Sequence, residues 1–298
     1  MDEKQTKEYC ISGDSKELPL GTQQNTTSNI PAASSRTPDP SRHVETIIVR
    51  EYLPPGVSRI IACGAGCFIG YIDESTVLKY PCVPNHKFLK TEESLEVEAQ
   101  ILDTLGKHPR IIGSKGLNEH GLLLHYLPNG SLYDHVNAHA DIPLDQKLRW
   151  CRQAAEAVQY IHSKNVLHCD ISLRNFLLDD DFNILLADFE GVLKSPDGYT
   201  LLDGLARNGV KAYPPSADCG CVNVKTDIFA LGSAIYFIMM GHDVFPELND
   251  VHDEEEIESR FRDGLFPTDT HLYCEISERC WKGYYTSAKE VLSDIAKL

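Results

Sequence analysis

The sequence has no apolar run long enough to cross a bilayer, no surplus of positive charge and no closely paired cysteines of the zinc-binding kind. Its most continuous apolar stretch, FALGSAIYFIMM, has 12 residues, where a spanning helix needs about 20. That stretch is read as a helix buried on all sides, and no membrane partner is expected. Lys and Arg number 28 against 44 Asp and Glu, a net charge of -16. Binding to nucleic acid or anionic lipid rests on clustered positive charge. Neither is expected, and the acidic balance suits a basic protein partner. The first residues, MDEKQTKEYC, lack an apolar segment of the secretory type, so the expected compartment is the cytoplasm or the nucleus. The ten cysteines are expected to stay reduced there. Cys219 and Cys221 have no neighbouring Cys or His pair with which to complete a zinc site. From Gly21 to Ser41 there is one large aliphatic residue, Ile30. Such a stretch cannot bury enough apolar surface to offset chain entropy, so residues 1 to about 44 are read as a disordered tail. A monomer is expected.

From residue 45 the pattern changes. ETIIVREYL, SRIIAC and STVLKY read as strands, the last two separated by glycines and the turn at Asp73-Glu74. EESLEVEAQILDTLG places Leu95, Ala99, Leu102 and Leu105 on one helical face and stops at Gly106. GLLLHYL returns to strand. Beyond Leu144 the helices lengthen: LDQKLRWCRQAAEAVQYIHSKN is amphipathic. The expected fold is α+β and bilobal, with a small antiparallel β-rich lobe carrying one helix over residues 45–126. A connection near 125–130 leads to a larger, mainly α-helical lobe over 131–298.

The densest chemical signal is VLHCDISLRNFLLDDDFNILLADFEG, two short apolar segments each followed by acidic and amide side chains. Asp170, Asn175 and Asp188 are oxygen donors of the kind that hold Mg²⁺, which normally completes its shell with phosphates and water. The residues point to phosphoryl transfer.

This stretch resembles the catalytic and magnesium loops of protein kinases, and the resemblance extends over roughly residues 57 to 295. His168-Cys169-Asp170 with Asn175 is similar to H-R-D-x-x-x-x-N. Asp188-Phe189-Glu190 is similar to D-F-G, Val77-Leu78-Lys79 resembles the strand lysine of V-A-I-K, and Glu98 stands where a helix glutamate pairs with that lysine, favoured over Glu96 on the same helix because Leu102, one turn later, then faces the core. HYLPNGSL resembles the hinge, with Leu124 as gatekeeper and Leu127 as a further nucleotide-binding residue. The HCDISLRN loop is most similar to divergent fungal kinase-like proteins. The resemblance implies ATP and Mg²⁺ as cofactors. Lys79 would neutralise phosphates, Glu98 would fix Lys79, Asp170 would accept the proton of a protein hydroxyl, and Asn175 and Asp188 would hold the metal. Arg174 matches the position where tyrosine kinases carry a positive charge, while Ser172 fills the place most serine/threonine kinases give to one. Val210 stands where the latter carry a threonine. The expected acceptor is nonetheless serine or threonine, the commoner class.

The chain departs from the pattern in several places. Its glycine loop becomes Ala62, Gly64 and Cys67 when Ile69 is aligned with the family valine, which should loosen the grip on phosphate. Cys169 cannot pair with a phosphorylated loop as arginine does. It is read as a buried, inert thiol, with a redox role as the less favoured alternative. Glu190 replaces a mobile glycine, which puts loop flipping in question, with Gly191, one residue later, as the candidate to supply that freedom. Ser216 replaces the glutamate of A-P-E, and its arginine partner is missing too, so no lone buried charge results. His168 reads as a packing histidine. Asp227 reads as a helix cap or a support for the catalytic loop, and Asp253 to Glu256 as a helix start. Two functions compete: an active protein kinase, and a pseudokinase that binds nucleotide or scaffolds other proteins.

Overall fold

The computed structural model describes residues 10–11, 47–48, 52–64, 66–82, 91–215 and 222–298. In chain order the strands are β1 (Cys10–Ile11), β2 (Ile47–Ile48), β3 (Arg59–Cys63), β4 (Cys67–Asp73), β5 (Thr76–Pro81), β6 (Ser114–Asn118), β7 (Gly121–His125), β8 (Val166–Leu167), β9 (Phe176–Leu178), β10 (Ile184–Leu186), β11 (Val192–Lys194) and β12 (Thr200–Asp203). The helices are α1 (Thr91–Leu105), α2 (Leu132–Ala138), α3 (Leu144–Ser163), α4 (Val224–Met240), α5 (Glu254–Arg262), α6 (Cys274–Trp281) and α7 (Ala288–Ile295). β1 and β2 form a two-residue ladder whose first strand falls inside the expected tail. The rest of that tail, with Ser216, Cys219 and Cys221, lies outside the described residues.

The first lobe is a five-stranded antiparallel sheet in the order β3-β4-β5-β7-β6. One cross-strand row joins Ala62, Ile69, Lys79 and Leu122, so the strand register brings Lys79 into line with two residues expected to contact nucleotide. α1 packs along β5, β6 and β7 and seals Leu95, Ala99, Ile101, Leu102 and Leu105 against the sheet. It ends at Gly106, whose φ of 64° is the left-handed conformation that glycine adopts without strain.

The second lobe is helical. α4 is buried on all sides, as its composition predicts, and packs against α3 and α6. Its N-terminus extends beyond the apolar run because Asn223 and Thr226 form a reciprocal cap there. α5 starts at the acidic run, with Glu254, Glu255 and Glu256 in its first turn, where carboxylates meet the positive end of the helix dipole. β6, whose sequence SKGLN carries little strand signal, was not expected; it pairs with β7 at the sheet edge. No helix among the described residues is long and apolar enough to cross a membrane.

Candidate active site

Lys79 lies on β5, and its side chain reaches the interface of sheet, α1 and the loop after β10. Its Nζ donates to Glu98 Oε2 at 2.7 Å, to Glu190 Oε1 at 2.9 Å and to Asp188 Oδ1. Glu98 is the helix glutamate that faces inward: it is wholly buried, while Glu96 points to solvent. Its other oxygen accepts the Phe189 N–H at 3.1 Å, so one carboxylate ties sheet, α1 and magnesium-loop backbone together. Burial pushes the Glu98 carboxyl up to about 7, against the pull of Lys79. Burial alone would lower the Lys79 ammonium, but Asp188, Glu98 and Glu190 outweigh it and hold it well above its usual range.

The catalytic loop hangs from one buried carboxylate. Asp227, in the first turn of α4, accepts the N–H of His168 at 2.9 Å and of Cys169 at 3.0 Å, and meets His162 Nε2 at 2.9 Å. It supports the loop, and Asn223 is the cap. The two backbone bonds hold Cys169 at φ 65°, a strained conformation for a non-glycine residue. Next to it Asp170 is half-buried. Asn175 Nδ2 donates both to the Asp170 carbonyl at 2.8 Å and to its carboxylate at 2.9 Å. His168 is a packing histidine: Nδ1 accepts the Asp170 N–H at 3.3 Å, which leaves Nε2 to donate to the Ala187 carbonyl at 2.9 Å, and its ring meets Phe189 edge to face. The Ala187 N–H donates to the Asn175 carbonyl at 2.8 Å, so the two acidic loops share a backbone bond.

Asp188 also sits in the left-handed region, at φ 67°. Lys79 holds its carboxyl below the usual range despite burial, which acts to raise it. Among the described residues, Glu98, Asp188 and Glu190 form a carboxylate group whose oxygens lie within 4.8 Å of one another. Glu98 is occupied by Lys79 and the Phe189 N–H, whereas Asp188 meets Lys79 through Oδ1 alone and Asn175 uses its amide nitrogen for Asp170, which leaves an oxygen of each as a donor for a cation. These hard oxygens fit Mg²⁺.

The other expected site residues differ in exposure. Ala62 is exposed and Gly64 half-buried at the β3–β4 turn, closed by a Gly64 N–H to Cys67 carbonyl bond of 2.8 Å. Cys67 is buried, and burial pushes its thiol up to about 12. Ile69 and Leu127 are half-buried, and Leu124 is buried on β7 opposite Val77. Arg174 is exposed and stacks its guanidinium 3.8 Å above the Tyr133 ring.

Gly191 corrects one expectation. Its φ is outside the left-handed region, and a Cβ there would lie 2.1 Å from the Leu167 carbonyl oxygen and 2.4 Å from that of His168. It permits a close approach of β11 to the catalytic loop, so a packing requirement accounts for glycine there. Cys169 is fully buried, with its thiol pushed up to about 12 by burial, which favours the inert reading over the redox one.

Two residues that sequence reasoning missed hold the segment after the magnesium loop. Arg207 grips Asp203 through two bonds, at 3.2 and 3.0 Å. Lys211, almost fully buried, reaches Asp250 at 3.1 Å, Asp243 at 3.9 Å and the Leu248 carbonyl at 2.9 Å. Its own carbonyl accepts the Ser233 hydroxyl, which in turn accepts Trp281 Nε1. The Arg207 pair follows an i,i+4 spacing that a sequence can suggest; the partners of Lys211 are distant in the chain and gave no local signal.

Comparison with known proteins agrees with this geometry. A family model described as protein tyrosine and serine/threonine kinase matches residues 77–290. A probable serine/threonine-protein kinase of Arabidopsis thaliana is 28% identical over 181 residues, 56% of this chain and 48% of the relative. A mitogen-activated protein kinase kinase kinase of Caenorhabditis elegans is 29% identical over 150 residues, 48% of this chain and 27% of the relative. One of Pyricularia oryzae is 27% identical over 168 residues, 52% of this chain and 18% of the relative. The chain thus spans less than half the length of these relatives. With most of its length matched by the family and the lysine, glutamate and two acidic loops brought together, the chain belongs to the protein tyrosine and serine/threonine kinase family.

Proposed function

We propose that the chain transfers the γ-phosphoryl group of Mg-ATP to a serine or threonine hydroxyl of a protein substrate. The observation that carries this is the closed Lys79–Glu98 ion pair, joined through Glu98 to the Phe189 N–H and so to Asp188. In that arrangement lysine, metal-binding aspartate and base belong to one connected unit, which is what phosphoryl transfer requires of a protein.

Lys79 holds the phosphates, positioned by Glu98. Asp170 orients the acceptor hydroxyl and takes its proton; the Asn175 amide fixes the Asp170 carboxylate so that it does not rotate away. Mg²⁺, when bound, supplies positive charge against which phosphate oxygens develop charge. Ala62, Gly64, Cys67, Ile69, Leu124 and Leu127 shape the nucleotide pocket, and Arg174 stands at the acceptor side, held by Tyr133. The acidic surface favours a basic substrate. A monomer working in the cytoplasm or nucleus, allied to fungal kinases that carry an HCDISLRN loop, belongs to the same reading. The pseudokinase alternative is disfavoured because each polar group needed for transfer is present and tied in place.

Incubation of the chain with γ-labelled ATP, Mg²⁺ and a basic protein substrate tests the proposal. Label recovered as phosphoserine or phosphothreonine supports it. Label on tyrosine alone would overturn the acceptor assignment, and no transfer across substrates would overturn the activity.

A further inference from the structure

Lys79 is paired more heavily than phosphate binding requires. One ammonium faces three carboxylates, Glu98, Asp188 and Glu190, so the cluster carries a negative excess before any phosphate arrives. The third carboxylate is there because Glu190 replaces the glycine of the family pattern.

The three are not equally held. The Glu98 side chain is sealed, at 0% exposure, and also holds the Phe189 N–H, whereas those of Glu190 and Asp188 are 26% and 42% exposed; of these two only Glu190 is additional to the family pattern. The Glu190 backbone is fixed by the segment that follows. Its carbonyl accepts the Ala206 N–H at 3.0 Å, and Gly204 lies so close that a Cβ would sit 2.4 Å from that carbonyl oxygen. The backbone is therefore anchored beside Lys79 while the side chain keeps partial access to solvent, so the carboxylate can leave Lys79 without disturbing the loop.

We propose that Glu190 is an anionic gate on Lys79: it occupies the lysine until phosphate groups displace it, and its charge opposes metal-free nucleotides. The site thereby selects the divalent-cation complex of a nucleoside di- or triphosphate. The inference rests on the nucleotide-binding reading above. A free triphosphate must compete for Lys79 and enter the field of uncompensated carboxylates, whereas a bound cation cancels that field. Glycine in the same place would impose no such penalty.

Isothermal titration of the full chain and of Glu190→Gln with ATP, with ATP plus Mg²⁺ and with adenosine tests this. Gln keeps an acceptor for Lys79 and removes the charge. Without Mg²⁺ the variant should bind ATP about tenfold more tightly than wild type, the scale of one like charge at a half-exposed site. Excess Mg²⁺ should close most of that gap, as should about 1 M salt. Adenosine, which has no phosphate, should bind both proteins equally, and Glu190→Gly should follow Glu190→Gln. Equal Mg²⁺-free ATP affinity in wild type and both variants overturns the gate. So does an equal gain for adenosine, which would mean that the pocket had merely loosened. If neither ligand binds any of the proteins, the nucleotide reading itself is overturned and the gate with it.

Discussion

The carboxylate of Asp227 accepts the backbone N–H groups of two successive residues, His168 and Cys169, at 2.9 and 3.0 Å, and is itself wholly buried. A side chain on α4 thus sets the conformation of the loop that presents Asp170. Replacing it leaves two buried donors with no acceptor, each costing about 1–3 kcal/mol. Asp227→Ala should therefore lower the unfolding free energy by about 3 kcal/mol, read in urea titration. Stability equal to wild type would show that the loop has another support.

Gly191 should tolerate no side chain. The clash of an added Cβ is with backbone oxygens of Leu167 and His168, which cannot rotate away. Gly191→Ala is expected to cost about 3 kcal/mol, at the upper end of overpacking penalties, and to displace the Asp188 loop. Thermal unfolding and Mg-ATP titration measure the two effects separately.

Lys211 anchors the segment before Pro214 to the loop carrying Asp243 and Asp250. The glutamate–arginine pair of the family pattern is missing from the sequence, and this lysine ties the same stretch of chain by a different route. Lys211→Met keeps the stem's packing and removes the charge, leaving the half-buried Asp243 without its partner. We expect a loss of about 1–3 kcal/mol and faster proteolytic cleavage between residues 204 and 215. An unchanged cleavage rate would show that the tie is dispensable.

Asp203 carries a pH dependence whose sign follows from its pairing. Burial acts to raise its carboxyl, but the Arg207 bonds and the Leu205 N–H outweigh it and depress it below the ordinary aspartate value. A depressed carboxylate stabilises the fold above that value and loses its contribution as pH falls through the folded one. The pair is partly exposed, so its worth is about 0.5–1 kcal/mol. Asp203→Asn should be less stable than wild type by that amount at pH 7, and the difference should vanish in acid below the folded value. A gap that persists there would assign the effect to packing.

The parts of the site legible in the sequence were those written as motifs of fixed spacing. Asp170 and Asn175 lie on one short loop, Asp188 opens another, and Lys79 sits in the strand-like run STVLKY. Glu98 could be told from Glu96 because Leu102 marks the inward face of α1. The α4 helix was legible from composition, although its true start required the Asn223 cap. What could not be read were contacts made across the chain. Glu190 and Lys79 are 111 residues apart, and no local pattern announces that the residue in a glycine's place will reach back to Lys79. Gly191 was misread for a related reason: sequence shows that a glycine is present, while only packing shows whether freedom or closeness requires it. β6 was hidden because an edge strand with five mostly polar or small residues has little buried face to leave a pattern.

The central claim is that Asp170 serves as the base for transfer while the nucleotide site stands independently of it. Single-turnover transfer from γ-labelled Mg-ATP, measured for wild type and Asp170→Asn alongside Mg-ATP affinity, tests it most directly. A rate loss of at least about 100-fold, the scale of general base catalysis, with affinity within about threefold of wild type is the predicted result. Transfer by Asp170→Asn at the wild-type rate would contradict the account.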